Sequence, residues 1–108
     1  MTNLQNTLAK IGLSDKEIRI YLALLKTGPT AIRKIAETSG VNRGTTYELL
    51  KKLQVFGLVS YFHKGKRQHF VAEDPRVIAN IISRKRLEIE EAESNIEKVL
   101  AELSLLSF

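Results

Sequence analysis

Leu4, Leu8 and Ile11 recur at helical spacing ahead of Gly12, so the pattern predicts a short first helix closed by a residue that tolerates a left-handed cap. Ser14 followed by Glu17 is a capping-box pattern; Ile18, Tyr21, Leu22 and Leu25 then share one face of a second helix until Gly28-Pro29 stops it. Thr30 is a candidate cap for a third helix, with Ile32, Ile35 and Ala36 facing inward before Ser39-Gly40 turns the chain. After Gly40 and Val41, Asn42 is a candidate cap for a fourth. Its expected buried stripe is Thr46, Tyr47, Leu50 and Leu53, completed by Val55 or Phe56, with Arg43, Gly44, Thr45, Glu48, Lys51 and Lys52 on the outer face. Two short helices joined by so tight a turn have helix-turn-helix geometry.

Gly57 ends the fourth helix, and Leu58–Phe62 and Arg67–Ala72 read as two strands around His63–Lys66, with Gly65 making the turn. A hairpin directly after the helix pair is the winged form of the motif. Asp74-Pro75 then pairs a capping side chain with proline at a first helical position and starts a last helix expected to reach about Leu106. The expected fold is therefore mainly α with a small β-hairpin: a winged helix-turn-helix domain over residues 1–73 and a long C-terminal coiled-coil helix over 74–108.

Within that helix Ile78, Ile82, Lys85, Ile89, Ala92, Ile96, Val99, Leu103 and Leu106 alternate in steps of four and three, a coiled-coil seam. At ~1.5 Å per residue the seam is roughly 40 Å long, more than so small a domain can cover, which predicts a homodimer through this helix. The β-branched residues Ile82, Ile89 and Ile96 suit a parallel pair. The charges point the other way, because parallel pairing brings Glu88 towards the partner's Glu93, and they tilt the expectation to antiparallel.

Charge narrows the partner. The chain of 108 residues carries a net charge of +5, which by itself fits nucleic acid, a membrane surface or ribosomal RNA. Between Lys26 and His69, however, nine basic residues face only Glu37 and Glu48, so the excess positive charge sits on the helix-turn-helix and the hairpin. There are no cysteines, hence no disulfide and no thiolate metal site. The start lacks a signal-peptide pattern and no apolar run approaches the ~20 residues of a membrane span, so a cytoplasmic, nucleoid-associated protein is expected.

The candidate DNA contacts follow from residue chemistry. Asn42, Arg43, Gly44 and Thr45 form the first turn of the fourth helix, where free backbone N–H groups and short polar side chains can approach a phosphate or base edge, and Arg43 is the candidate guanine reader. Lys51 and Lys52, and Lys64, Gly65, Lys66 and Arg67 at the hairpin tip, are candidate phosphate contacts, with Thr30, Arg33 and Lys34 a third backbone contact. Tyr47 and Phe56 are assigned to the core, as is Tyr21 with its hydroxyl at the edge; Tyr61 suits either a sugar-phosphate contact or a strand face on the core. His63 and His69 flank the tip without a carboxylate or cysteine cluster, so no metal or cofactor is assigned. No phosphate loop, activated nucleophile or paired catalytic carboxylates can be recognised, and the chain is not read as an enzyme.

Ile11-Gly-Leu-Ser, Glu17 to Leu25 (EIRIYLALL), Gly28-Pro29, Ile35 to Val41 (IAETSGV), Arg43, Tyr47-Glu-Leu-Leu, Leu53 and Gly57-Leu-Val together resemble the TrmB-type transcriptional regulators of archaea and bacteria, over roughly residues 8 to 72. MarR-type and ArsR-type repressors share the fold. The resemblance implies sequence-specific double-stranded DNA binding as a dimer, with Asn42 to Thr45 and Lys51 on the recognition helix and Lys64 to Arg67 on the wing. Larger members continue beyond the coiled coil into a domain that binds sugars or other effectors, whereas this sequence ends at Phe108; no small-molecule effector site is evident, and a stand-alone regulator and a piece of a longer protein both stay open. An architectural, chromatin-like DNA-binding protein and a protein-binding winged-helix module are the alternative functions.

Overall fold

The computed structural model describes residues 3–107. Its elements run α1 (Asn3–Lys10), α2 (Asp15–Thr27), β1 (Thr30–Ala31), α3 (Ile32–Ser39), α4 (Arg43–Val55), β2 (Val59–Lys64), β3 (Arg67–Ala72) and α5 (Val77–Ser107). The three strands form one antiparallel sheet in the order β1-β3-β2, with Thr30 opposite Phe70 and Val59 to Lys64 pairing Ala72 to Arg67.

Local chemistry sets the boundaries. The Glu17 amide donates to Ser14 Oγ at 3.2 Å and the Ser14 amide to Glu17 Oε1 at 3.0 Å, so the capping box is closed in both directions. Helices α1 and α4 end alike. The amides of Gly12 and Leu13 donate to the carbonyls of Ala9 and Leu8, and those of Gly57 and Leu58 to Gln54 and Leu53. This paired 6→1 and 5→2 arrangement needs positive φ at the glycine, here 103° and 79°, and brings together an apolar pair, Leu8 with Leu13 and Leu53 with Leu58, all buried.

The core lies where α2, α3 and α4 meet the sheet, and Ile18, Ile20, Tyr21, Leu24, Ile35, Leu50, Leu53, Leu58 and Phe70 are almost fully enclosed. The Tyr21 hydroxyl leaves the core at its edge and donates to the Glu73 carbonyl at 3.1 Å. Burial first, then the neighbouring Asp74 and Glu73 carboxylates, hold that phenol above the ordinary tyrosine range. The Arg19 guanidinium donates twice to the Ser39 carbonyl, at 3.1 and 3.2 Å, tying α2 to the end of α3 just before the turn of the helix pair.

Several expectations are corrected. Thr30 caps no helix: with Ala31 it is a two-residue strand on β3, and Ala31 occupies the cap position of α3 without a side-chain bond. Backbone pairing to the wing satisfies these residues instead. The inward face of α2 runs through Ile20 and Leu24 rather than Leu25, which is exposed, as is Leu4 on α1. On α4 Thr46, Leu50 and Leu53 are buried and Phe56 half-buried, but Tyr47 is 41% and Val55 81% exposed. The last helix begins at Val77, after a tight turn. The Arg76 amide donates to Asp74 Oδ1 at 2.9 Å and the Val77 amide to the Asp74 carbonyl. The Arg76 guanidinium, 2.7 Å from Asp74 Oδ2, and that amide bond hold the carboxyl below its ordinary range.

Only the start of α5 touches the rest of the chain through buried side chains. Ile81 is buried and Val77 and Ile78 pack partly against the core, whereas every residue from Ile82 to Leu106 is exposed. Ile81, which the seam pattern omits, is thus the residue that seats the helix on the head.

Candidate nucleic-acid interface

Asn42 sets the geometry of the site. Its side-chain oxygen accepts from the Thr45 amide at 2.8 Å, and the Thr46 hydroxyl turns back onto the Asn42 and Val41 carbonyls at 2.8 and 3.3 Å. The first turn of α4 is therefore pinned from both sides, with Thr46 wholly buried while Asn42, Arg43 and Gly44 face solvent. Thr45 is half-buried beside them. An N-terminus presented in this way offers unpaired amides and a positive dipole end to an anion.

Facing it across an open cleft of about 650 Å³ is the wing. The cleft is lined by Ala31, Ile32 and Arg33 from β1 and α3, Arg43, Gly44 and Tyr47 from α4, and Arg67, Gln68 and Phe70 from β3. Three arginines from three elements thus converge on one concave surface with a partly apolar floor. Lys64, Gly65 and Lys66 lie beyond it at the exposed hairpin tip, where Gly65 (φ 65°) and Lys66 make a two-residue turn between the paired Lys64 and Arg67. Glycine in the first turn position supplies the positive φ that such a tight hairpin requires.

Not every candidate joins this surface. Lys51 lies one turn beyond Tyr47, its ammonium 4.5 Å from the ring centroid and 3.7 Å from Glu48 Oε1. Lys52, a residue further on, points around the helix to a separate groove with Gly12, Glu17, Val55 and Phe56. There Glu17 Oε2 is buried without a hydrogen-bond partner. Lys34 is exposed and Thr30 half-buried in β1. Arg33 keeps a loose contact with Glu37 at 3.9 Å, both side chains being largely in solvent, so its guanidinium can be redirected at small cost.

Tyr47, expected in the core, stands instead on the cationic face. The missed signal is its spacing: Arg43, Tyr47 and Lys51 are four residues apart and so lie on one stripe of the helix. Gln68 was missed as well, because strand alternation by itself does not say which face of the wing turns to α4. Tyr61 is exposed, edge-on to His63 and tilted against Phe70 with centroids 6.3 Å apart; His69 stacks on Phe62 across the strand pair. The two histidines occupy adjacent, non-facing register positions, and no group of three or more metal-ligating side chains occurs among the described residues. Nor is any described helix long and apolar enough to cross a membrane.

The sequence profile of the family described as "Sugar-specific transcriptional regulator TrmB" matches residues 8–76. A curated relative, the uncharacterized protein YrhO of Bacillus subtilis, is 31% identical over 96 residues, which are 89% of this chain and 34% of YrhO. Among solved structures, the archaeal chromatin protein TrmBL2, described as having a novel mode of DNA binding, superposes with a TM-score of 0.74 at 26% identity, over 87% of this chain and 36% of its own. The transcriptional regulator Tm0710 from Thermotoga maritima (TM-score 0.59, 22% identity, 94% and 79% coverage) and a MarR family regulator from Silicibacter pomeroyi (0.57, 18%, 95% and 72%) share the fold. The chain thus spans about a third of the length of YrhO and of TrmBL2. The matched family and the solved structures are transcription regulators and DNA-binding proteins rather than enzymes, and with more than half of its residues inside the family profile the chain belongs to the TrmB family of winged-helix DNA-binding transcription regulators.

Proposed function

We propose that the chain is a sequence-specific regulator that binds double-stranded DNA as a homodimer, with α4 in the major groove and the β2–β3 wing on the flanking backbone. The convergence of Arg33, Arg43 and Arg67 on one cleft beside the exposed first turn of α4 carries this reading. Arg43 is the base-reading residue, since a guanidinium donates a fork of two bonds to guanine. Gly44 and Thr45 let the helix end approach closely, and Tyr47 offers an apolar ring edge to a pyrimidine methyl. Lys51, Lys64, Lys66 and Arg67, with Arg33 and Lys34, neutralise phosphates and supply affinity rather than sequence choice. Lys52, turned to the separate groove beside Glu17, stays outside this face, and Gly65 lets the wing tip come close to the duplex.

The functional division falls between residues 1–73, which hold the DNA surface, and 74–108, which join two copies. The exposed seam residues Ile82, Ile89, Ile96, Val99, Leu103 and Leu106, with Ile78 and Ala92, are the dimer contacts, and the charges of α5 favour an antiparallel pair. The protein works in the cytoplasm, on the nucleoid.

Gel-shift titration against genomic fragments and random duplex tests the proposal. The expected result is a preferred fragment bound at least ~10³-fold more tightly than random sequence. A ratio below about tenfold overturns it. The likeness to an archaeal chromatin protein supports a second reading, an architectural protein with little base preference; a steep salt dependence with no preferred fragment is its signature.

A further inference from the structure

We infer that the groove between α1 and α5 seats the middle of the partner's α5 in one antiparallel register, the one that sets Arg86 against the partner's Glu93. The inference rests on the dimer proposed above and adds its orientation, its register and the part played by α1.

The groove encloses about 500 Å³ between Lys10 at the end of α1, with Ile11 just beyond it, and Ile82, Lys85, Arg86, Glu88 and Ile89 on α5. The α5 residues of this lining are the seam positions and their flanks, so the seam opens onto α1 as well as onto solvent. Lys85, the one charged residue of the seam, does not stand in the way: its side chain lies beside Gly12, whose added Cβ would be 3.5 Å from the ammonium. Drawn to the α1–α2 turn, at the C-terminal end of α1 where a cation is favoured, it leaves the apolar path of Ile82 and Ile89 clear.

Charge commits the occupant to a second copy and fixes its direction. Up to Leu87, α5 carries Arg84, Lys85 and Arg86 and no acid; from Glu88 onward it carries six glutamates and only Lys98. The groove itself is lined by three cations, Lys10, Lys85 and Arg86, against one acid, Glu88, and so is net basic. A parallel partner lays acidic end on acidic end, with Glu88 towards the partner's Glu93. An antiparallel partner lays the acidic stretch over the basic groove.

Register then follows from the flanking positions. With Ile82 opposite the partner's Val99 and Ile89 opposite the partner's Ala92, Arg86 meets the partner's Glu93 twice by symmetry, and Glu88 meets the partner's Asn95. Sliding by one heptad one way sets Glu93 against the partner's Glu93 and Glu88 against the partner's Glu102. Sliding the other way sets Arg86 against the partner's Arg86. Only the first register pairs opposite charges. At ~1.5 Å per residue it places the two starts of α5 about 40 Å apart, on the scale of the roughly 34 Å turn of B-DNA that separates half-sites.

The native chain has no cysteine, so single substitutions report neighbours directly. Chains carrying Ile82→Cys and Val99→Cys, both at exposed positions, are oxidised separately and mixed, and sedimentation of the unmodified chain is measured alongside. The expected outcome is a dimer in which only the mixture cross-links. Self-cross-linking of either variant in a dimeric chain overturns the orientation while leaving the dimer reading intact; a monomeric chain at micromolar concentration overturns both. Charge variants check the register: Glu93→Arg should weaken the dimer by about tenfold, and adding Arg86→Glu should restore it, with helix content unchanged. A tighter dimer from Glu93→Arg alone, as parallel pairing with Glu88 requires, overturns the assignment.

Discussion

The head and the rod of this molecule use apolar residues in opposite ways. In the head, Ile18, Tyr21, Leu24, Ile35, Leu50, Leu53 and Leu58 are enclosed to within 1% of complete burial by α2, α3, α4 and the sheet. In the rod, Ile89 is 61% and Leu103 51% exposed, and no residue from Ile82 to Leu106 is buried. Burial stabilises by ~25 cal/mol per Å² of apolar surface, so the head closes its own account of apolar area whereas the rod leaves a stripe in water. For the dimer proposed above, the contrast teaches that the two parts answer to different variables: the head to temperature and denaturant, the rod to protein concentration as well.

The contrast can be broken from either side. Leu53→Ala removes a wholly buried side chain that also forms the apolar clasp with Leu58, and it should cost the head about 2–5 kcal/mol in urea unfolding. Ile89→Asp should leave the head folded, with its urea unfolding midpoint unchanged. It should nonetheless weaken dimerisation by about a hundredfold in sedimentation, because a carboxylate must be desolvated in the seam. If both variants lowered head stability alike, head and rod would be one cooperative unit and the comparison would be wrong.

Finer tests sharpen the division within the head. Arg43→Ala should lower affinity for the preferred site by about 1–3 kcal/mol and relax the preference at one base pair per half-site, read by binding selection. Lys66→Ala should instead weaken all sequences alike and reduce the slope of log affinity against log salt by about one. Tyr21→Phe removes the hydroxyl that reaches Glu73 and should cost about 1 kcal/mol at neutral pH. Because the native phenol ionises above the unfolded one, its contribution is complete below pH ~10 and fades as pH rises through the native value. The Phe variant should therefore lose less stability than the parent between pH 9 and 11, measured by urea titration at each pH.

Much of this architecture was readable before any coordinates. Ser14-x-x-Glu17, Gly12, Asn42 and Gly57 act through bonds within three to five residues of themselves, and each boundary they mark is found where the spacing puts it. The cationic first turn of α4 was likewise legible, since a cap fixes which residues follow it. Tyr47 was not. Its apolar ring suggested burial, while its place four residues from both Arg43 and Lys51 put it on the outer face; position decided over chemistry, because α4 has room for only one inward stripe and Thr46, Leu50 and Leu53 fill it.

What the sequence determined by itself was therefore carried by short-range bonds and by periodicity: the helices, the caps at Ser14 and Asn42, the hairpin turn at Gly65 and the apolar stripe along the last helix. What only the tertiary structure decided was which residues from distant segments share a surface: the short strand Thr30–Ala31 on β3, the meeting of Arg33, Arg43 and Arg67, the seating of α5 by Ile81, and the groove that α1 adds to the seam. The reason is that a cap or a helical repeat acts within one turn of chain. A cleft is set by how rigid elements pack, and no local pattern encodes the angle between them.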